Sequence, residues 1–160
     1  MFQQTHHNTA GGLLISVNGL AGLLFILLLA RQFQRRPPFM LLGIGIFCAG
    51  LGWLVLPLSS SLLWSAGAVV IYTLGETLTL PASDLVTTKF AHADHRGTFF
   101  GLTSLSWAIG GSIGSYLGPW LVEMGNPLLP WSVFGGIGLL ASLLLVLLAP
   151  GRHKSSVKEE

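Results

Sequence analysis

The sequence predicts an all-α fold, a polytopic membrane helix bundle of five transmembrane helices that forms a single membrane domain over residues 1–160. Only 9% of the residues are charged, against roughly 25% in a soluble domain, and 51% are hydrophobic. The charged residues also leave long uncharged runs, such as Pro37 to Gly75, and about 20 helical residues are enough to cross a bilayer. Because the runs do not alternate between apolar and polar residues, transmembrane strands are excluded.

Each predicted helix occupies one uncharged run or part of one. The run from Pro37 to Gly75 is long enough for two helices, and Pro57 with the serines that follow it interrupts the run near its middle. Helix three is expected to continue past its apolar part to about Phe90. In chain order, the predicted transmembrane helices cover about residues 11–30, 38–56, 62–81, 99–121 and 128–149.

The distribution of basic residues predicts the orientation of the chain. All eight Lys and Arg residues follow helices one, three and five, and the other connections hold none. Basic residues favour the cytoplasmic side, so we expect the N-terminus outside and the C-terminus in the cytoplasm, with the protein integral to the cell (inner) membrane. The first ten residues hold no Lys or Arg, so we expect no cleaved signal peptide. The basic residues are Arg31, Arg35, Arg36, Lys89, Arg96, Arg152, Lys154 and Lys158.

Glu76, in helix three, is the main candidate for a functional side chain. A carboxylate inside the bilayer is costly, so it is expected to face the bundle interior or a water-filled cavity and to mark a proton or substrate path. Thr73 and Thr77 share its face of the helix. Pro81 cannot donate to the carbonyl of Thr77, which predicts a kink close to the acid. The alternative is a protonated Glu76 that only holds helices together through a hydrogen bond.

The tryptophans divide into two groups. Four lie near the predicted outer ends of helices two to five, where they are expected to anchor the protein at the membrane interface. Trp107 lies inside helix four, where it either packs against another helix or lines a cavity. The four interfacial residues are Trp53, Trp64, Trp120 and Trp131.

Helix four carries a row of small residues. Gly110, Gly114 and Gly118 recur at intervals of four, a spacing that lets two helices approach closely, and Pro119 allows the outer end to bend. Helices two and five hold weaker rows of glycines. Near the predicted cytoplasmic end, Asp84 is expected to form an ion pair with Lys89 or Arg96, as a brace or as a gate.

No metal site, cofactor or enzyme activity is predicted. His92, Asp94 and His95 share a loop, but they lack the rigid helical spacing of a His pair and a Cys partner. The sequence has no nucleophile with a matching base and no glycine-rich phosphate loop. The formal net charge of +2 reflects membrane topology rather than binding to nucleic acid.

Several motifs together resemble the major facilitator superfamily, in particular its proton-coupled efflux group. The stretch from Gly75 to Pro119 resembles family helices ten and eleven, with Gly-Glu-x4-Pro from Gly75 to Pro81 and a Gly-x3-Gly-Pro run that ends at Pro119. Residues 30–37 resemble the basic cytoplasmic loop between helices eight and nine. On that alignment the five helices correspond to family helices eight to twelve.

The resemblance implies a twelve-helix transporter of two six-helix halves, which holds its substrate between the halves and exposes it to each side in turn. Glu76 matches an acidic position of helix ten, and Gly114, Gly118 and Pro119 match a counterpart of the antiporter glycine-proline motif. The chain departs from the family pattern at Trp120 and Leu121, where small residues are usual, and at Arg31 and Gln34, where the inner loop usually has Asp and Gly.

The length implies that the chain holds less than half of such a transporter. We therefore expect a partial or truncated secondary transporter of the proton-coupled efflux type, with membrane lipid, a small-molecule substrate and protons as its partners. A short protein that assembles with a missing N-terminal half or with itself is a second account. A non-transporting membrane interaction or structural protein, or an inactive gene remnant, is the third.

Overall fold

The computed structural model of the chain describes residues 2–91 and 95–148. These residues form five α-helices, and the described part of the chain contains no strand, so the predicted all-α helix bundle is confirmed. His92, Asp94 and the basic residues beyond 148, on which part of the predicted orientation depends, lie outside the described residues. The helices are α1 (Phe2–Arg35), α2 (Pro38–Val55), α3 (Leu62–Phe90), α4 (Arg96–Glu123) and α5 (Leu129–Leu148).

Four of the helices are long and apolar enough to cross a membrane, namely α1, α2, α3 and α5. The fourth helix, α4, has 28 residues, which is long enough, but its many glycines and serines make it less apolar than the others. Its passage through the bilayer therefore stays a prediction. Both α1 and α3 extend well beyond the predicted apolar spans, because a helix continues past the hydrocarbon layer wherever nothing in the sequence breaks it.

Proline, serine and glycine define the ends of the helices. Pro38 occupies the first turn of α2. The amide groups of a first turn have no acceptor within the helix, so the missing amide hydrogen of proline costs no hydrogen bond there. A short 3-10 turn, Leu56–Leu58, follows α2, and Ser61 then precedes α3 in an extended conformation. After α4, Gly125 has a positive φ of 77°, a left-handed conformation that glycine adopts without strain.

Helix α2 lies at the centre of the bundle, packed between α3 and α5, and α1 packs against α3. Glycines make these contacts close. A Cβ atom on Gly45 would lie 2.9 Å from the Gly75 carbonyl oxygen in α3, and one on Gly138 would lie 2.9 Å from the Cα atom of Gly50. The Ser142 hydroxyl adds a buried hydrogen bond from α5 to the Gly43 carbonyl oxygen, at 2.9 Å. The closest helix contacts therefore come from the glycine rows that the sequence predicts to be weaker.

Helix α4 contacts the rest of the described chain only sparsely. A Cβ atom added to Gly110 or Gly114 would meet no atom within 4 Å, and one on Gly118 would just reach a ring carbon of Phe134. Near the other end of α4, the hydroxyls of Thr103 and Thr87 form a hydrogen bond of 3.1 Å. A row of small residues identifies a face for close packing but not its partner, and a partner for this face within the chain is not found among the described residues.

The predicted ion pair of Asp84 with Lys89 or Arg96 stays a prediction. All three side chains are exposed in the structure. Side chains three or four positions apart share a face of a helix, whereas five positions separate Lys89 from Asp84, so these two residues lie on different sides of α3.

Candidate functional site

Glu76 lies on α3 with its side chain partly buried, and Gly75 and Thr77 on either side are buried. The Tyr72 hydroxyl, one turn earlier, donates to the Glu76 Oε1 atom at 3.4 Å, which is long for a hydrogen bond between two oxygens. Helix α3 continues through Pro81 without a break. The contact between the Tyr72 hydroxyl and the Glu76 carboxylate is therefore weak.

Three cavities meet at Glu76. The first, called the large cavity here, has a volume of about 630 Å³ and lies between α1, α2 and α3, with Trp131 of α5 in its wall. The second, of about 300 Å³, lies between α1 and α3. The third, of about 210 Å³, is lined by α2, α3 and α5 and by Trp107 of α4. One carboxylate thus touches open space on several sides of its helix.

The four predicted path residues, Glu76, Thr73, Thr77 and Trp107, all line these cavities. Thr73, Thr77 and Pro81 line the cavity between α1 and α3, and Trp107 lines the third cavity with Glu76. The threonine hydroxyls donate to carbonyl oxygens one turn earlier in α3, each at 2.7 Å. They therefore satisfy their own helix, and their contact with a substrate stays a prediction.

Gly114 and Gly118 do not reach the Glu76 cavities. They line a separate space of about 720 Å³ beside α5, together with Trp53 and Trp131. The close helix contact predicted for these glycines stays a prediction, as does the bend at Pro119.

Trp53 and Trp131 pack against each other between α2 and α5, and their predicted interfacial role stays a prediction. Their rings stack with centroids 5.2 Å apart and planes at 29°, and the Tyr72 ring meets Trp53 edge-on at 5.5 Å. Both tryptophans line the large cavity. A sequence position near the end of a helix does not say which way a ring points, so the inward direction needed the α2–α5 contact to be known.

Asn18 in α1 is a cavity residue that the sequence analysis missed. It lines both the large cavity and the cavity between α1 and α3, in each case with Glu76. The available signal was a single amide side chain within the predicted first helix, residues 11–30. Such a residue is uncommon in an apolar helix because its amide has to find partners there.

The chemistry of the site follows from one acid in apolar surroundings. Among the described residues that line the three cavities, Glu76 is the acid and no lysine or arginine is present. A carboxylate in such a place holds a proton or pairs with a cation, because an unpaired charge is costly there. Where the structure describes the chain, no three potential metal-ligating side chains come together.

Comparison with known proteins gives a family match over the whole chain. The family model of the Major Facilitator Superfamily matches residues 1–160. Multidrug resistance protein MdtH of Edwardsiella ictaluri (strain 93-146) is 32% identical over 105 residues, which cover 63% of this chain and 26% of that protein. MdtH of Citrobacter koseri is 36% identical over 81 residues, 48% of this chain and 20% of the relative.

MdtH of Escherichia coli O9:H4 (strain HS) is 30% identical over 105 residues, which cover 63% of this chain and 26% of that protein. The matched part of this chain thus spans between a fifth and about a quarter of the length of these relatives. No solved structure matches the chain.

Proposed function

The chain belongs to the Major Facilitator Superfamily, and we propose that it is a segment of a secondary transporter that exports a small molecule in exchange for protons. It is an integral membrane protein. The observation that carries the proposal is Glu76, a carboxylate within an apolar helix that lines three cavities of the bundle. The relatives named multidrug resistance proteins support export as the direction of transport.

The segment is the C-terminal part of the transporter, family helices eight to twelve, in the inner membrane. Its N-terminus lies outside and its C-terminus in the cytoplasm. The basic residues at the C-terminal end of α1 and around the α3–α4 connection support this orientation. The open face of α4 supports a missing neighbour, because a helix with glycines at close-packing spacing leaves that face unused in the described chain.

In this mechanism Glu76 takes up a proton when the cavity opens to one side and releases it when the cavity opens to the other. Thr73, Thr77 and Trp107 form the walls along this path, and the substrate sits among them. Gly110 and Gly114 form a sliding contact with a helix of the other half. Proton uptake lowers the cost of holding the acid in an apolar site, so the protonation state of Glu76 biases the conformation that the transporter adopts.

The test restores the chain to a complete transporter. The part of the Edwardsiella relative that precedes its matched region is joined to this chain, and dye export driven by a proton gradient is measured in everted membrane vesicles. Glu76→Gln is expected to lower gradient-driven export at least about tenfold with normal insertion, on the scale of a lost proton-transfer group. Glu123→Gln, an exposed acid at the end of α4, is the matched control and is expected to keep full export.

Equal export by the Glu76→Gln variant and the parent removes Glu76 from the mechanism. Sequencing the DNA that precedes the codon of Met1 is a second test of whether the chain is a segment of a transporter. If that DNA encodes about seven further transmembrane helices, the proposal is supported, because seven and five helices together make the twelve of the family.

A further inference from the structure

The cavity between α1 and α3 has a different lining from the other two cavities that meet at Glu76. Its volume is about 300 Å³, and its walls come from α1 and α3 alone. Among the described residues that line it there is no aromatic ring, whereas rings line both the large cavity and the third cavity. Its polar side chains are those of Asn18, Thr73, Glu76 and Thr77. The cavity is therefore small and, for the inside of an apolar bundle, polar.

The polar groups of this cavity are able to hold water. The hydroxyls of Thr73 and Thr77 each donate to a carbonyl oxygen of α3, so each hydroxyl oxygen keeps a lone pair that accepts from water. Pro81, which lines the same cavity, has no amide hydrogen, so the Thr77 carbonyl oxygen lacks the donor that a helix normally supplies. The Asn18 amide offers donors and an acceptor. A buried water needs about two to four polar partners, and this cavity provides them.

Glu76 is reached from this cavity without crossing the large cavity. Glu76 and Asn18 each line both cavities, the first from α3 and the second from α1. Of the three cavities that meet at the acid, Thr73 and Thr77 line only the one between α1 and α3. Polar groups therefore continue along this side of α3 beyond the large cavity.

Gly22 of α1 keeps space open between the two helices. A Cβ atom on Gly22 would lie 3.6 Å from the Thr73 Cγ2 atom, which is an ordinary contact. A longer side chain would extend into the cavity that Gly22 lines. Gly22 follows Asn18 by four positions, so the two residues share a face of α1. The size of the side chain at position 22 therefore controls how much of the cavity stays free.

We propose that the cavity between α1 and α3 is a hydrated route by which protons reach Glu76, and that Asn18 positions the water in it. A hydronium ion in this water gives its proton to the Glu76 carboxylate and becomes a water molecule. The route is separate from the large cavity, so a molecule bound there leaves it open. The proposal rests on the proposed function, since it assigns a proton path to the same acid.

The first test measures hydration in the 160-residue chain in lipid nanodiscs, with Cys48 replaced by alanine. Thr77→Cys and Leu20→Cys variants are treated with silver ions, and the thiols that remain are counted by maleimide labelling after denaturation. The Leu20 side chain is exposed on the outside of the bundle, where it meets lipid. Thr77→Cys is expected to react at least about tenfold faster, because a thiol binds the metal as the thiolate, which needs water. Equal rates overturn the proposal.

The second test fills the cavity. Gly22→Leu is expected to slow the silver reaction of Thr77→Cys to the rate of Leu20→Cys. Gly12→Leu is the matched control on α1, since a Cβ atom there meets nothing within 4 Å, and it is expected to leave the rate unchanged. An unchanged rate with Gly22→Leu overturns the route. Thermal unfolding is measured for each variant, and if Gly22→Leu does not fold, Gly22→Val replaces it with the same expected outcomes.

Export separates the route from the acid itself. In the transporter made by joining the relative to this chain, Gly22→Leu and Asn18→Leu are each expected to lower gradient-driven export at least about tenfold, with dye binding at equilibrium as in the parent. Asn18→Ser keeps a group that binds water, so it is expected to restore part of the export. If Gly22→Leu and Asn18→Leu export as the parent does, the route alone is overturned. If Glu76→Gln does so, the proposed function is overturned, and the silver reaction still decides whether the cavity is hydrated.

Discussion

Gly45 of α2 and Gly75 of α3 lie so close that a side chain on either one meets the main chain of the other helix. A Cβ atom on Gly45 would lie 2.9 Å from the Gly75 carbonyl oxygen, and one on Gly75 would overlap the main chain at Ala49. Gly75 directly precedes Glu76, so this contact sets how far the carboxylate stands from α2.

The first prediction concerns this contact. Gly75→Ala is expected to lower the free energy of unfolding by about 1–3 kcal/mol, because the added methyl group forces α2 and α3 apart. Gly67→Ala is the matched control on the same helix, since a Cβ atom there meets nothing within 4 Å. Reversible unfolding in mixed micelles measures both. A Gly75→Ala variant as stable as the Gly67→Ala variant contradicts the close approach.

The second prediction concerns the buried hydrogen bond between α5 and α2. Ser142→Ala removes the donor to the Gly43 carbonyl oxygen and is expected to cost about 0.6 kcal/mol, and at most about 1.7 kcal/mol, as for other hydrogen bonds between membrane helices. Ser112→Ala is the control, because that exposed hydroxyl bonds only to the Ala108 carbonyl oxygen of its own helix. A larger loss in the control than in Ser142→Ala shows that the α5–α2 bond does not form.

The third prediction is the membrane orientation. Single cysteines at Ser60 and Asn126, in a variant whose native Cys48 is replaced by alanine, are expected to react with an impermeant maleimide in intact cells. A cysteine at Gln34, among the basic residues at the C-terminal end of α1, is expected to react only after the membrane is opened. The opposite labelling pattern shows that the topology is the reverse of the predicted one.

The fourth prediction separates two kinds of glycine. Gly114→Leu is expected to leave the unfolding free energy of this chain nearly unchanged, since its Cβ atom meets nothing within 4 Å, but to block assembly with the other half of a transporter. Gly50→Leu, at the α2–α5 contact, is expected to unfold the chain itself. Thermal unfolding and co-purification with the N-terminal part of an MdtH relative measure the two effects. Full assembly of the Gly114→Leu variant shows that this face of α4 does not contact the other half.

The sequence predicts the features of this protein that depend on single residues and fails where two distant residues meet. Uncharged runs locate the helices because the cost of burying charge acts on each residue separately, and for the same reason Glu76 stands out. The inward packing of Trp53 escapes notice because its partner, Trp131, lies on another helix and far along the chain. For the same reason, the sequence predicts the closest helix contact at the glycine row of α4 and not at Gly45 or Gly50, because the residues that face these two glycines are known only from the fold.

The Ser142 hydroxyl bonds to a carbonyl oxygen 99 residues earlier in the chain. During synthesis, α2 therefore enters the bilayer well before the helix that covers one of its two glycine-lined faces. Until α5 has been synthesised, that face of α2 lacks the helix that packs against it in the finished bundle. In a chain that ends before α5, α2 packs against α3 but not against α5. The glycine-lined face of α2 that α5 covers in the finished bundle is then exposed.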